Sequence, residues 1–193
     1  MITAVVLAAG ASTRMGSHKL LLPLGGEPLI TRVVRQVTLA GFDDVLVVVG
    51  HEHEEVIRAL EDLDVRHTVN TAFATGMGSS FRAAIEALSG TTAAMFALAD
   101  QPLLVAGNYR QLLEAYRAQS RGIVSVRYDD VTAPPHLFDR EYFSELSRLE
   151  NGARPVLQRH ADATTIVRFP PELLLDIDTP ADYERARIMI AGE

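Results

Sequence analysis

The chain has 193 residues, of which 48% are hydrophobic and 22% charged, and its formal net charge is −7. This composition is typical of a globular domain with a sizeable core, and the negative charge argues against general nucleic-acid binding, which needs clustered cations. The chain has no cysteine, which excludes disulfides, thiolate chemistry and Cys-ligated metal sites.

The hydrophobic runs and the first residues predict a cytoplasmic protein. No apolar run reaches the roughly 18–20 residues that a helix needs to span a bilayer. The first residues, Met1 to Leu7, lack the basic segment of a signal peptide and instead resemble a buried strand. We therefore expect a protein that binds neither a membrane nor nucleic acid.

Short apolar runs alternate with amphipathic stretches along the chain. The predicted strands are Ile2–Ala8, Val45–Val49, Val65–Val69, Ala93–Leu98, Ile123–Tyr128, Thr164–Phe169 and a short extended run at Leu173–Ile177. The predicted helices are Pro28–Ala40, Glu54–Glu61, Met77–Leu88, Asn108–Gln119, Asp139–Leu149, Ala153–His160 and a last helix that Thr179 caps and Pro180 opens. Residues 129–135 are predicted to form an irregular loop. The alternation predicts one α/β domain over residues 1–193, with a parallel sheet between helices on both faces.

The loop after the first strand carries the clearest functional signal, because ligands of such sheets bind beyond the carboxyl ends of the strands. Gly10 and its small neighbours let backbone N–H groups approach an anion, and Arg14 and Lys19 can neutralise phosphate oxygens. The spacings of the Walker A motif and of the dinucleotide fingerprint are both absent. An ordinary turn with two solvated cations is the alternative interpretation.

A longer segment around this loop narrows the interpretation. Residues 7–29 read LAAGASTRMGSHKLLLPLGGEPL, and further short motifs occur at residues 76–80, 99–102, 152–154 and 175–180. Together they resemble the MobA-like nucleotidyltransferases, which include the molybdenum cofactor cytidylyl- and guanylyltransferases. The resemblance covers essentially the whole chain. It implies a Rossmann-like three-layer α/β/α sandwich with a mostly parallel central sheet, and transfer of a nucleotidyl group from a nucleoside triphosphate.

The resemblance also implies a set of site residues. Arg14 and Lys19 would be catalytic, stabilising the triphosphate and the leaving pyrophosphate, and Asp100 and Asp178 would bind the cofactor Mg²⁺. The nucleotide would be bound by residues that follow the strands or open a helix: Leu7, Ala8, Ala9, Gly10, Asn70, Gly76, Ser79 and Ser80.

Each of these positions has a structural alternative. Asp100 could cap the turn before Pro102, and Asp178 could support the start of the last helix. Asn70 is a common turn residue, and the two serines could act as helix caps. Asp176 is the neighbour most easily confused with Asp178, and we expect its side chain to face the opposite way.

The identity of the substrates is the least determined feature. The loop has Ala9 where guanylyltransferases tend to have glycine, and the extra methyl group would crowd a purine, so the resemblance implies CTP as donor. It implies molybdopterin as acceptor and a molybdenum hydroxylase as a further partner. Residues 129–138, however, lack the glycines and arginines that this family often has facing the acceptor. A sugar or polyol phosphate as acceptor, GTP as donor, a non-catalytic accessory protein and an oxidoreductase on the same scaffold are therefore alternatives.

Overall fold

The computed structural model describes residues 1–10, 18–119 and 122–192. The strands are β1 Ile2–Ala8, β2 Pro23–Leu24, β3 Glu27–Pro28, β4 Asp44–Val49, β5 Arg66–Val69, β6 Ala93–Leu98, β7 Ile123–Tyr128, β8 Val131–Asp139 and β9 Thr164–Phe169. The helices are α1 Leu29–Thr38, α2 His53–Arg58, α3 Met77–Ala87, α4 Ala106–Gln119, α5 Phe143–Leu146, α6 Arg154–Arg159 and α7 Pro180–Ala191. Lys19–Leu21 forms a 3-10 turn.

A seven-stranded sheet in the order β5-β4-β1-β6-β8-β7-β9 forms the centre of the molecule. Neighbouring strands run parallel except at β8, which pairs antiparallel with both β6 and β7. The predicted α/β class with a mostly parallel central sheet is therefore confirmed. The carboxyl ends of β1, β4 and β6 lie side by side at one edge of the sheet, which is where such sheets bind ligands.

Helices cover both faces of the sheet, because alternate residues of each strand point to opposite sides. In β1, Ala4 and Val6 belong to one core, which includes residues of α1, α2, α4 and α7. Val5 and Leu7 belong to the other core, which includes residues of α3, α5 and α6. Burial on both faces explains why the strands read as continuous apolar runs rather than as alternating ones.

The prediction of an irregular loop over residues 129–135 is wrong. This segment turns at Asp129 and returns as β8, which lies between β6 and β7. The two prolines at 134 and 135 argue against an inner strand, since proline cannot donate a ladder hydrogen bond. The register shows how they are accommodated: it passes from Ser125 opposite His136 to Val126 opposite Ala133, so both prolines fall at an irregularity in the ladder.

Two further predicted elements differ from the structure. The helix expected over Asp139–Leu149 is a 3-10 turn at Arg140–Tyr142 followed by the short α5. The extended run expected at Leu173–Ile177 is not a strand but follows a 3-10 turn at Pro171–Leu173. A backbone hydrogen bond joins this run to the segment that follows β6: the Ile177 N–H donates to the Asp100 carbonyl at 3.0 Å.

The length and the apolar character of a helix decide whether it can cross a bilayer. Among the described residues, none of the helices combines the length and the apolar character that crossing a membrane requires.

Candidate functional site

A cavity of about 360 Å³ opens at the carboxyl ends of β1 and β6, and we call it the edge cavity. The Ala99 N–H donates to the Leu7 carbonyl at 3.1 Å, which holds the two strand ends together beneath it. The cavity is lined by the two strand ends, by the 3-10 turn at Lys19–Leu21, by the segment that leads into α3 and by the residue two positions before α7. The lining residues are Leu7, Ala8, Ala9, Gly10, Lys19, Leu20, Phe73, Gly76, Met77, Ser80, Leu98, Ala99, Asp100 and Asp178.

One ammonium group joins two carboxylates in the edge cavity. Lys19 Nζ donates to Asp100 Oδ2 at 2.7 Å and to Asp178 Oδ1 at 3.0 Å. The three residues come from positions far apart in the chain, and the Lys19 side chain is only 11% exposed. Burial alone would lower the pKa of Lys19, but the charges and hydrogen bonds of both carboxylates outweigh it and raise the pKa above the ordinary value of 10.5. The ammonium therefore remains charged at neutral pH.

The position of Asp178 is fixed from both sides along the chain. On the preceding side, the Ile177 N–H donates a hydrogen bond to the Asp100 carbonyl. On the other side, Thr179 and Asp182 form a capping box at the start of α7. Asp182 Oδ2 accepts from the Thr179 N–H at 2.8 Å and from the Asp178 N–H at 3.3 Å. The hydrogen bond from the Thr179 hydroxyl lowers the pKa of Asp182 below its ordinary value of 3.8, so the box stays intact at neutral pH.

We expect Thr179→Ala to lower the free energy of unfolding by about 1 kcal/mol, because α7 loses its N-cap acceptor. Urea unfolding of the variant and the parent protein measures the difference. Thr38→Ala is the matched control, since that exposed hydroxyl donates to the Arg35 carbonyl in the last turn of α1 and accepts no N–H group at a helix start. It should change the free energy by less than about 0.5 kcal/mol. Equal losses in the two variants would contradict the capping role.

Asp176 and Asp178 have different surroundings, although residues two apart in a regular strand would share a face. Asp178 lines the edge cavity, whereas Asp176 Oδ1 accepts a hydrogen bond from Gln101 Nε2 at 2.8 Å. Partial burial of the Asp176 carboxyl group raises its pKa, and the charges of Asp100 and Asp178 add to this rise. The geometry thus pairs Asp178, rather than its neighbour, with Asp100.

The two carboxylates suit a small divalent cation. Asp100 Oδ1 is buried and has no hydrogen-bond partner among the described residues, and an unpaired buried carboxylate oxygen is costly unless a cation or donor meets it. The described part of the chain contains no group of three or more His, Asp or Glu side chains placed to hold a metal. A cation here would take two protein carboxylates, and Mg²⁺ commonly accepts so few because water and substrate phosphates complete its shell.

Some of the predicted nucleotide-binding residues line the edge cavity, and the others are buried behind its wall and hold it in place. Gly76 and Ser80 line the edge cavity, together with residues 7–10. Asn70 and Ser79 are buried behind this wall: Asn70 Nδ2 donates to Ser79 Oγ at 2.8 Å and to Ser80 Oγ at 3.1 Å. Asn70 Oδ1 accepts from the Ala72 N–H at 3.0 Å. In this arrangement the amide ties the end of β5 to α3, and its contact with a base stays a prediction.

Two glycines that sequence reasoning missed allow close packing around the site. A Cβ atom at Gly50 would lie 2.8 Å from Ala9 Cβ, so this glycine lets Ala9 pack against the end of β4. A Cβ atom at Gly78 would lie 1.9 Å from the Leu149 carbonyl oxygen, so only glycine lets α3 approach that segment. The signal for Gly78 was its place inside a helical pattern, where glycine usually has a packing reason.

The predicted catalytic residue Arg14 lies outside the described residues. Its role stays a prediction from the sequence. Lys19, which shares the same loop in the chain, is described and lies in the edge cavity.

Comparison with known proteins identifies the class of this molecule. The sequence model of the MobA-like NTP transferase domain matches residues 4–164. The chain therefore belongs to the MobA-like NTP transferase family, a family of nucleotidyltransferases.

Individual relatives agree with this family. The bifunctional protein GlmU of Burkholderia ambifaria (strain MC40-6) is 37% identical over 130 residues, which is 66% of this chain and 28% of that protein. The chain thus spans less than a third of the length of this curated relative.

Two solved structures of similar proteins cover the whole fold. A nucleotidyl transferase from Methanothermobacter thermautotroptrophicus is 26% identical, with a TM-score of 0.86 over 100% of this chain and 98% of its own. Rv0371c of Mycobacterium tuberculosis H37Rv, in complex with manganese, is 27% identical, with a TM-score of 0.78 over 97% and 98% of the two chains.

Proposed function

We propose that this protein transfers CMP from CTP to a phosphorylated acceptor, the molybdenum cofactor molybdopterin, and releases pyrophosphate. The observation that carries the proposal is the arrangement of Lys19, Asp100 and Asp178 in a cavity at the ligand edge of the sheet. Membership of a nucleotidyltransferase family supports the reaction class. The cytoplasmic location expected from the sequence stays part of the proposal.

The reaction is an in-line displacement at phosphorus. A phosphate oxygen of the acceptor forms a new bond to the α-phosphorus of CTP, and the bond from that phosphorus to the bridging oxygen of the β-phosphate breaks. Pyrophosphate leaves with the electron pair, and the attacking phosphate needs no protein base because it is already an anion. Catalysis of such transfers rests on positioning and on stabilising the charge of the phosphoryl oxygens.

The residues of the edge cavity have distinct roles in this scheme. Lys19 keeps its positive charge at neutral pH because its pKa is raised, and it lines the edge cavity. Its ammonium group would therefore bind the phosphates of the nucleotide. Arg14 would stabilise the leaving pyrophosphate. Asp100 and Asp178 would hold a divalent cation, Mg²⁺, and the manganese complex of a relative supports a divalent ion here. When bound, that cation would offset negative charge on the phosphates.

The choice of CTP rests on the wall formed by residues 7–10. Ala9 lines the edge cavity and packs against Gly50, where even a single added carbon would lie 2.8 Å from its methyl group. The Ala9 methyl group narrows the space for a base, which favours a pyrimidine over a purine.

The test is a thermal-shift screen with CTP, GTP, ATP, UTP and NADPH, each with and without Mg²⁺. We expect CTP with Mg²⁺ to raise the melting temperature most, since a ligand at about 100 times its Kd adds roughly 2.7 kcal/mol of stability. Pyrophosphate release with CTP and molybdopterin then tests turnover.

The other outcomes identify the alternatives. A larger shift with GTP would overturn the base assignment but keep the reaction class. Turnover with sugar or polyol phosphates and none with molybdopterin would change the acceptor. Binding of molybdopterin without CTP turnover would indicate an accessory protein for molybdenum hydroxylases, and a shift with NADPH alone would indicate an oxidoreductase.

A further inference from the structure

A second cavity adjoins the edge cavity on the face of the sheet covered by α3 and α6. It has a volume of about 230 Å³ and shares the lining residues Leu7, Met77 and Leu98 with the edge cavity. Phe81 and Phe96 also line it. We call it the apolar neck, because most of the residues that line it are apolar.

His136 at the apolar neck carries no charge at neutral pH. It lines the neck, and its Nδ1 lies 3.0 Å from the hydroxyl oxygen of Ser125. Burial lowers the pKa of His136 to about 3, so the imidazole is neutral under physiological conditions. Arg154 is the one charged residue among the described lining residues, so a ligand in the neck would meet mainly apolar surface, one neutral ring and that guanidinium group.

A third cavity continues from the apolar neck toward β9. It measures about 530 Å³ and shares Thr132, Arg154 and Leu157 with the neck. We call it the distal cavity. Two guanidinium groups line it, Arg127 from β7 and Arg154 from the start of α6. The carboxylate residue Asp130 lines it as well.

The guanidinium group of Arg127 has one unsatisfied donor among the described residues. Its Nε is buried and has no hydrogen-bond partner among the described residues. A buried N–H group without an acceptor costs free energy, which a ligand that supplies an acceptor atom would recover. Guanidinium groups bind pairs of acceptor atoms best, such as the oxygens of a carboxylate or phosphate or the edge of a heterocycle.

We propose that the distal cavity binds the far end of the phosphorylated acceptor, with Arg127 and Arg154 donating to paired acceptor atoms there. This assignment rests on the proposed function. The acceptor's phosphate would lie in the edge cavity, and its middle would pack against Phe81, Phe96 and Leu98 of the apolar neck. The substrate is then an elongated phosphomonoester with an apolar or flat middle and an acceptor-rich far end. Short polyol phosphates, which lack such a middle and far end, should therefore be poor substrates.

Binding of defined probes tests this assignment without knowing the acceptor. The probes are α,ω-alkanediol bisphosphates of increasing length, each compared by calorimetry with the alkyl monophosphate of the same length. At the length that spans the cavities, we expect the second phosphate to raise the affinity about tenfold or more, as charge-assisted hydrogen bonds do. The gain should fall to a few-fold at most in Arg127→Gln and in Arg154→Gln.

The control variant is Arg117→Gln, which removes the same charge from an exposed position on α4. It should retain the full gain. No gain at any length, or a gain that survives in both arginine variants, would overturn the distal assignment. Melting temperatures of all four proteins verify that each variant is folded.

Two further arms separate this inference from the proposed function. CTP with Mg²⁺ is titrated into the same proteins: absence of binding to the parent protein would contradict the proposed function. Intact CTP binding without a bisphosphate gain would contradict only the distal assignment. With molybdopterin as acceptor, both arginine variants should raise the acceptor KM about tenfold while the Kd of CTP stays unchanged.

Discussion

Replacing Asp100 with asparagine should lower kcat by about 10²–10³-fold while the protein remains folded. The change keeps the size of the side chain but removes the charge that binds Lys19 Nζ at 2.7 Å and that would hold the divalent cation. Pyrophosphate release from CTP in the presence of molybdopterin and Mg²⁺ measures kcat. The Mg²⁺-dependent part of the CTP thermal shift should be lost as well.

Asp176→Asn is the matched control for this prediction. Asp176 lies two residues before Asp178 and accepts its hydrogen bond from Gln101, which an asparagine oxygen can also accept. The control should keep kcat within a few-fold of the parent enzyme. Activity of Asp100→Asn at the parent rate, or an equal loss in both variants, would show that the charge of Asp100 has no special role.

The layout of the sheet could be predicted largely from hydrophobic pattern. The strands Ile2–Ala8, Ala93–Leu98, Ile123–Tyr128 and Thr164–Phe169 occur with the predicted boundaries, because each is an apolar or β-branched run bounded by turn residues. β8 could not be predicted in this way. Its prolines oppose a strand by local preference, and only the pairing with β6 and β7 on both sides stabilises it.

The sequence could indicate which residues belong to the site, but not how they meet. Lys19, Asp100 and Asp178 were predicted from motifs, and their convergence on one ammonium group is a property of the tertiary structure. Asn70 shows the opposite case. A turn asparagine or a base-reading amide would look the same in the sequence, whereas the structure engages both ends of the amide with Ser79, Ser80 and Ala72.

Gly78→Ala should lower the free energy of unfolding by about 3 kcal/mol, at the upper end of overpacking changes. The added Cβ would lie 1.9 Å from the Leu149 carbonyl oxygen and within 2.8 Å of the Glu150 carbonyl carbon. Both are backbone atoms, which cannot turn away as a flexible side chain would. The Gly78 N–H also donates to the Glu150 carbonyl at 3.0 Å, so separation of α3 from this segment would break that bond. Denaturant unfolding measures the loss.

Gly107→Ala provides the control, since a Cβ at that position meets no atom within 4 Å and the residue lies in α4. Alanine is the better helix former, so this change should be neutral or stabilising by up to about 1 kcal/mol. The two changes are chemically identical, and both lie near the start of a helix. A similar response to both would mean that helix propensity, rather than close approach, governs Gly78. A loss confined to Gly78→Ala, accompanied by weaker CTP binding, would show that the packing of α3 on residues 149–150 also holds Gly76 and Ser80 in the cavity wall.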